Sequence, residues 1–170
     1  MNKHLILQTG IRFGVILGLV SIISSVLFFL LALESKWPEG LLGFAILIGV
    51  VYVAINQFKT QNDNSLSIGE GLRVGFWMSL ISGTLSSVYK YLEMTYLNPE
   101  EIEKQMKIQR IAMEDQGLNE EQIDQAMKMT GAFTEPHILI PMGIIGSIIF
   151  VGIIALIVSA ILKKERSVFE

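Results

Sequence analysis

Four long stretches of this chain carry no charged side chain: residues 13–33, 41–58, 74–89 and 137–162, of 21, 18, 16 and 26 residues. A helix rises about 1.5 Å per residue and the hydrocarbon of a bilayer is about 30 Å thick, so about 20 apolar residues cross it. Inside lipid the backbone must satisfy its own hydrogen bonds, which a helix does within one segment. The runs therefore restrict the chain to a helical membrane bundle. Its composition agrees, at 51% hydrophobic and 17% charged residues with a mean hydropathy of +0.53. The 16-residue run is short, but Arg73 and Lys90 can snorkel from its two ends, which extends the predicted helix to 71–92. The expected spans are about 11–33, 41–58, 71–92 and 138–162.

These spans resemble one another in pairs. Gly10-Ile11-Arg12-Phe13-Gly14 recurs 61 positions later as Gly71-Leu72-Arg73-Val74-Gly75, whereas Pro38, Gly40, Gly43 and Gly49 recur 103 positions later as Pro141, Gly143, Gly146 and Gly152. Self-similarity of this kind predicts a duplicated helical hairpin. The two offsets differ by 42 residues, so the second copy carries an insertion, placed at 98–135. Four spans make the copies parallel, related by a pseudo-two-fold axis along the membrane normal. The expected fold is thus an all-α membrane protein, a single domain over 1–170. It has four transmembrane helices as two parallel duplicated hairpins, with an extramembrane amphipathic helical hairpin between helices three and four.

Small residues predict how the helices meet. Gly71, Gly75, Ser79, Gly83 and Ser87 fall four apart on helix three, Gly10, Gly14 and Gly18 do so on helix one, and Gly146 and Gly152 mark helix four. Such stripes let backbones approach closely where no hydrophobic effect drives association. Their equivalence in the repeat predicts that helix one packs on helix three. A homodimer face or a substrate path would use the same stripes.

The polar segment before the last span has helix signals of its own. Asn98-Pro99-Glu100-Glu101 supplies an N-cap, a first-turn proline and two acids, and Gly117 reads as a left-handed cap covered by Leu118. Asn119-Glu120-Glu121-Gln122 has the capping-box pattern, as does Ser67-Ile68-Gly69-Glu70 before helix three. Ile102, Met106 and Met113 on one helix and Ile123, Met127 and Thr130 on the next predict amphipathic faces. Met94, Met106, Met113, Met127 and Met129 are expected to fill the seam between them; a soft-metal or adaptable peptide surface is the alternative. Between residues 93 and 137 ten acids face four bases, a net of −6 in a chain of net −3.

Orientation follows the cations close to the spans. Lys3, Arg12, Lys59, Arg73, Lys163, Lys164 and Arg166 share one side of a four-span topology, and the short loop on the other side has Lys36. The positive-inside rule then puts both termini in the cytoplasm and the acidic segment outside.

Chemistry is sparse. No run has an acid or base at its centre, where ion and proton sites depend on them. His4 and His137 fall near opposite faces, cysteine is absent, and no catalytic motif of the HExxH, GxSxG or P-loop kind occurs. The expectation is a non-enzymatic protein with no cofactor, no metal and no nucleic-acid partner. Arg12 and Arg73 could hold a lipid headgroup between them, or simply anchor the topology.

The order Ser67-Ile68-Gly69-Glu70-Gly71-Leu72-Arg73-Val74-Gly75, then Tyr89 to Tyr96, Asn98-Pro99-Glu100, Gln116-Gly117-Leu118-Asn119-Glu120-Glu121-Gln122-Ile123 and a glycine-rich last span ending in Lys163-Lys164, resembles the family called domain of unknown function 4199. The resemblance covers essentially the whole chain. It implies a small four-span bacterial protein of the inner membrane and carries no activity or ligand. On these grounds the favoured function is an interaction or assembly subunit that binds a periplasmic or membrane protein through 98–135, alone or as a homo-oligomer. The alternatives are a small transporter or channel unit for a neutral or lipid-like solute, and an enzyme acting on lipid.

Overall fold

A computed structural model describes residues 3–31, 37–133 and 135–164. Leu33, Lys36 and Arg166, and the side chains of Glu101 and Ile102, lie outside the described residues. The elements are α1 (Lys3–Leu30), α2 (Trp37–Gln61), α3 (Ile68–Leu92), a single π turn (Glu93–Leu97), α4 (Pro99–Asp115), α5 (Glu120–Ala132) and α6 (Pro136–Leu162). They form two compact units, one of residues 1–86 and 143–170, the other of residues 87–142.

In the first unit the small residues set the geometry. A Cβ added at Gly10 would meet Trp77 and Val74, one at Gly14 would meet Met78 and Ile81, and one at Gly18 would meet Ser82 and Leu85. The contact positions rise together, so α1 and α3 run parallel. Gly71 faces Ser159, Gly75 faces Ala155 and Gly83 faces Ser147, so α3 and α6 run antiparallel. Gly71 also approaches Ile55 of α2, and α3 thus touches all three other helices. Val51, Ala54, Ile55, Phe58, Val74, Met78 and Ala155 are wholly buried there. The outward faces of α1, α2 and α6 are the reverse, exposing Leu19, Ile23, Leu41, Phe44, Ile149, Phe150 and Ile153 among others. Exposed apolar surface on this scale suits lipid as its neighbour.

This arrangement corrects the four-span description. Among the described residues three helices are long and apolar enough to cross a membrane: Lys3–Leu30, Gly40–Gln61 and Pro136–Leu162. The expected third span falls short because Glu70, Arg73, Ser79, Ser82, Thr84, Ser86, Ser87 and Lys90 dilute α3. Its serines do not sit on an outer face. Ser79 and Ser82 are buried, so these polar residues of α3 face its neighbours in the first unit.

The duplicated, parallel hairpins are corrected too. A two-fold axis between α1 and α3 would turn both glycine stripes toward each other, yet α1's stripe meets the larger residues of α3 and α3's stripe meets α6. The second repeat fails in the same way, since Pro38 is the second residue of α2 while Pro141 lies inside α6. Gly146 and Gly152, expected at a close interface, have nothing within 4 Å of an added Cβ.

The extramembrane hairpin inserted at 98–135 is the third correction. The helices α4 and α5 form, but their unit takes in the end of α3, the π turn and the first turns of α6. No separable insert begins at 98 and ends at 135. Asn98 likewise does not cap α4 with its side chain. Its backbone N–H instead donates to the Glu93 carbonyl at 2.8 Å and closes the π turn.

Candidate functional site

Polar groups of the first unit gather at one end. The turn after α2 places Asp63 and Asn64 at positive φ, 52° and 55°, values that these two residue types tolerate because their short side chains bond locally. Buried Ser65 donates its hydroxyl to the Asn62 carbonyl at 2.8 Å, and the Asn62 amide donates to the Ser65 carbonyl at 3.1 Å. Glu70 then closes the cap of α3: its carboxylate accepts from the Ser67 N–H and hydroxyl, both at 2.9 Å, while the Glu70 N–H donates to Ser67 Oγ at 3.2 Å. Leu66 pairs with Lys164 through two backbone bonds of 2.8 and 3.0 Å. That pairing ties the end of α6 to the turn between α2 and α3.

Arg12 sits at this end as well. With Gln8, Thr9, Phe13, Gln57 and Gln61 it lines a cleft of about 140 Å³ between α1 and α2. Its guanidinium carbon stands 5.8 Å from the centre of the Phe13 ring, a cation–π distance. Arg73 does not line the cleft, so the two arginines that the sequence repeat pairs are not brought to one site. The sequence carries a signal for the amides in their spacing. Gln8 and Arg12 are four apart on one helix and Gln57 and Gln61 four apart on the next, which puts each pair on a single face.

Between the helices, Ser147 Oγ of α6 donates to the Ser79 carbonyl of α3 at 3.1 Å. Ser159 Oγ is buried beside Gly71 and has no hydrogen-bond partner. Among the described residues no group of three or more His, Asp or Glu side chains is placed to hold a metal ion.

Compared with known proteins, residues 12–164 match the family described as Protein of unknown function (DUF4199). The chain belongs to that family. No curated protein and no solved structure matches it. Family membership and three apolar helices of spanning length make this DUF4199 protein a bacterial multi-pass membrane protein in contact with the bilayer.

The second unit of the DUF4199 protein is built by strong local caps. Gly117 has φ +78°, its N–H donates to Glu114 at 2.9 Å and the Leu118 N–H to Met113 at 3.2 Å, which is the double bond of a Schellman cap. Asn119 and Gln122 then exchange capping-box bonds of 2.9 and 3.1 Å. Arg110 pairs with Glu114 at 3.2 Å and reaches Asp124 of α5 at 4.0 Å. Glu93, nearly buried, pairs with Lys90 at 3.1 Å. Met106, Met113 and Met127 are half-buried, but Met129 is exposed and does not fill the seam. Ile108 and Ile111 also stay exposed, beside Lys104 and Lys107 along an open groove of about 580 Å³.

Proposed function

We propose that this protein is a non-enzymatic interaction or assembly subunit of the bacterial inner membrane, with the acidic α4–α5 segment as the element that docks on a protein partner. The observation that carries it is the composition of that segment. Ten acids against four bases lie between 93 and 137, and Ile108, Ile111, Met129 and Phe133 remain exposed among them. Apolar residues ringed by charges match the anatomy of an interface, where a buried centre supplies the contact and a polar rim the selectivity. The partner then carries basic groups around an apolar centre. Positive-inside logic supports a cytoplasmic position for the end of the first unit that holds Lys59, Arg73 and Lys164, and with it Lys3.

Full-length protein with Glu103→Lys and Glu121→Lys, both exposed positions, tests this. Cross-linking in native membranes from a photoreactive group at Met129, followed by affinity purification and native mass measurement, should give a stoichiometric protein adduct with the parent chain. The charge-reversed chain should lose it. An adduct made only with a second copy of the chain, or one indifferent to charge reversal, refutes the reading.

A further inference from the structure

We propose that the cleft between α1 and α2 is a binding site for a phosphate group, with Arg12 as its charged ligand and Gln8, Gln57 and Gln61 as its neutral donors. Among the described residues Arg12 has no acidic partner, and the three glutamine side chains make no hydrogen bond. Four side chains that can donate thus line one cleft without using their donors on the protein. Guanidinium presents a planar fork that fits two oxygens of a phosphate, and each amide adds a further N–H. Thr9 and Phe13, both buried, form the wall behind them, and the Phe13 ring faces the guanidinium. A volume of about 140 Å³ admits several waters or one tetrahedral oxyanion with its substituent.

Depth and charge point to the same ligand. The uncharged run of α1 begins at residue 13 and that of α2 ends at residue 58, so Gln8, Arg12 and Gln61 lie just beyond the apolar stretches. Phosphates of a bilayer lie at that level, directly outside the hydrocarbon. Lys3, Lys59, Arg73 and Lys164 belong to the same end, with Asp63 and Glu70 as the acids of the turn. An anion entering the cleft therefore meets net positive surroundings. The pairing of Arg12 with Arg73 plays no part; the site belongs to the first helical pair alone.

Purified full-length protein, examined by native mass spectrometry with phosphatidylglycerol and separately with inorganic phosphate, tests the assignment. One phosphatidylglycerol per chain should survive activation that strips the remaining lipid. Arg12→Gln should lower its occupancy at least tenfold, the scale of one lost charge-assisted hydrogen bond. Gln61→Glu, at an exposed position that tolerates the change in folding, should do the same by repulsion, and Arg73→Gln should leave occupancy unchanged. Displacement of the lipid by inorganic phosphate identifies free phosphate as a source, and resistance to it identifies the lipid headgroup; either supports the site. Equal losses from Arg12→Gln and Arg73→Gln would mean a diffuse electrostatic annulus and overturn the proposal. So would the absence of any retained lipid or phosphate. Should Arg12→Gln fail to fold, unchanged binding in Gln61→Glu is the overturning result.

Discussion

A single methyl group at position 75 tests how α3 is held. A Cβ there would lie 2.6 Å from the Ala155 Cβ, whereas ordinary contact is 3.4–4 Å, so α3 and α6 must part by about 1 Å. One turn along α3, the bond from Ser147 to the Ser79 carbonyl is 3.1 Å long. Parting by the same amount stretches it to about 4 Å, beyond hydrogen-bond range. Overpacking costs about 1–3 kcal/mol and a lost interhelical bond in a membrane about 0.6 kcal/mol. Alanine's better helix propensity returns at most about 1 kcal/mol. The losses win, and Gly75→Ala should destabilise by about 0.6–2.6 kcal/mol in an SDS unfolding titration of the reconstituted protein. At Gly152 the added Cβ meets nothing, so the same substitution should be neutral or stabilise by up to about 1 kcal/mol. The double variant Gly75→Ala/Ala155→Gly moves the methyl across the contact and should recover most of the loss. A Gly75→Ala protein as stable as the parent, or a double variant no better than the sum of its singles, refutes the close α3–α6 contact.

Ser147→Ala deletes the interhelical bond without crowding and should cost about 0.6 kcal/mol in the same titration, no more than the lower end of the Gly75→Ala loss. Gly117→Ala places a side chain at φ +78° and should cost about 1–2 kcal/mol, seen as faster hydrogen exchange in α4 and α5 of the intact chain. Unchanged exchange there would mean that the turn does not depend on the left-handed glycine.

Much of the local structure was legible in the residues. Ser67 with Glu70 and Asn119 with Gln122 cap their helices as the pattern predicts, and Gly117 adopts the left-handed conformation, because each involves groups within five residues. Asn98 misled for the same local reason: its N–H was drawn into the π turn by Glu93, five residues back, which no capping pattern encodes. Hydropathy marked α1, α2 and α6 as membrane helices. It could not describe α3, whose serines are sheltered by neighbours that lie far away in sequence.

Internal likeness proved the least reliable guide to arrangement. Gly10 and Gly14 resemble Gly71 and Gly75 in spacing, yet the stripe of Gly10, Gly14 and Gly18 meets Trp77, Met78 and Leu85, and that of Gly71, Gly75 and Gly83 meets Ser159, Ala155 and Ser147. A stripe of small residues states that something approaches closely and leaves open what approaches. Residue types and their spacing by themselves determined the helices, the caps at Ser67, Gly117 and Asn119, and the family, all properties of neighbours along the chain. Tertiary structure alone decided that Ser147 bonds to Ser79 across 68 positions and that Arg12 shares a cleft with Gln57 and Gln61 and not with Arg73. Those pairings depend on which helix faces pack, and close packing selects among partners that a one-dimensional pattern leaves equivalent.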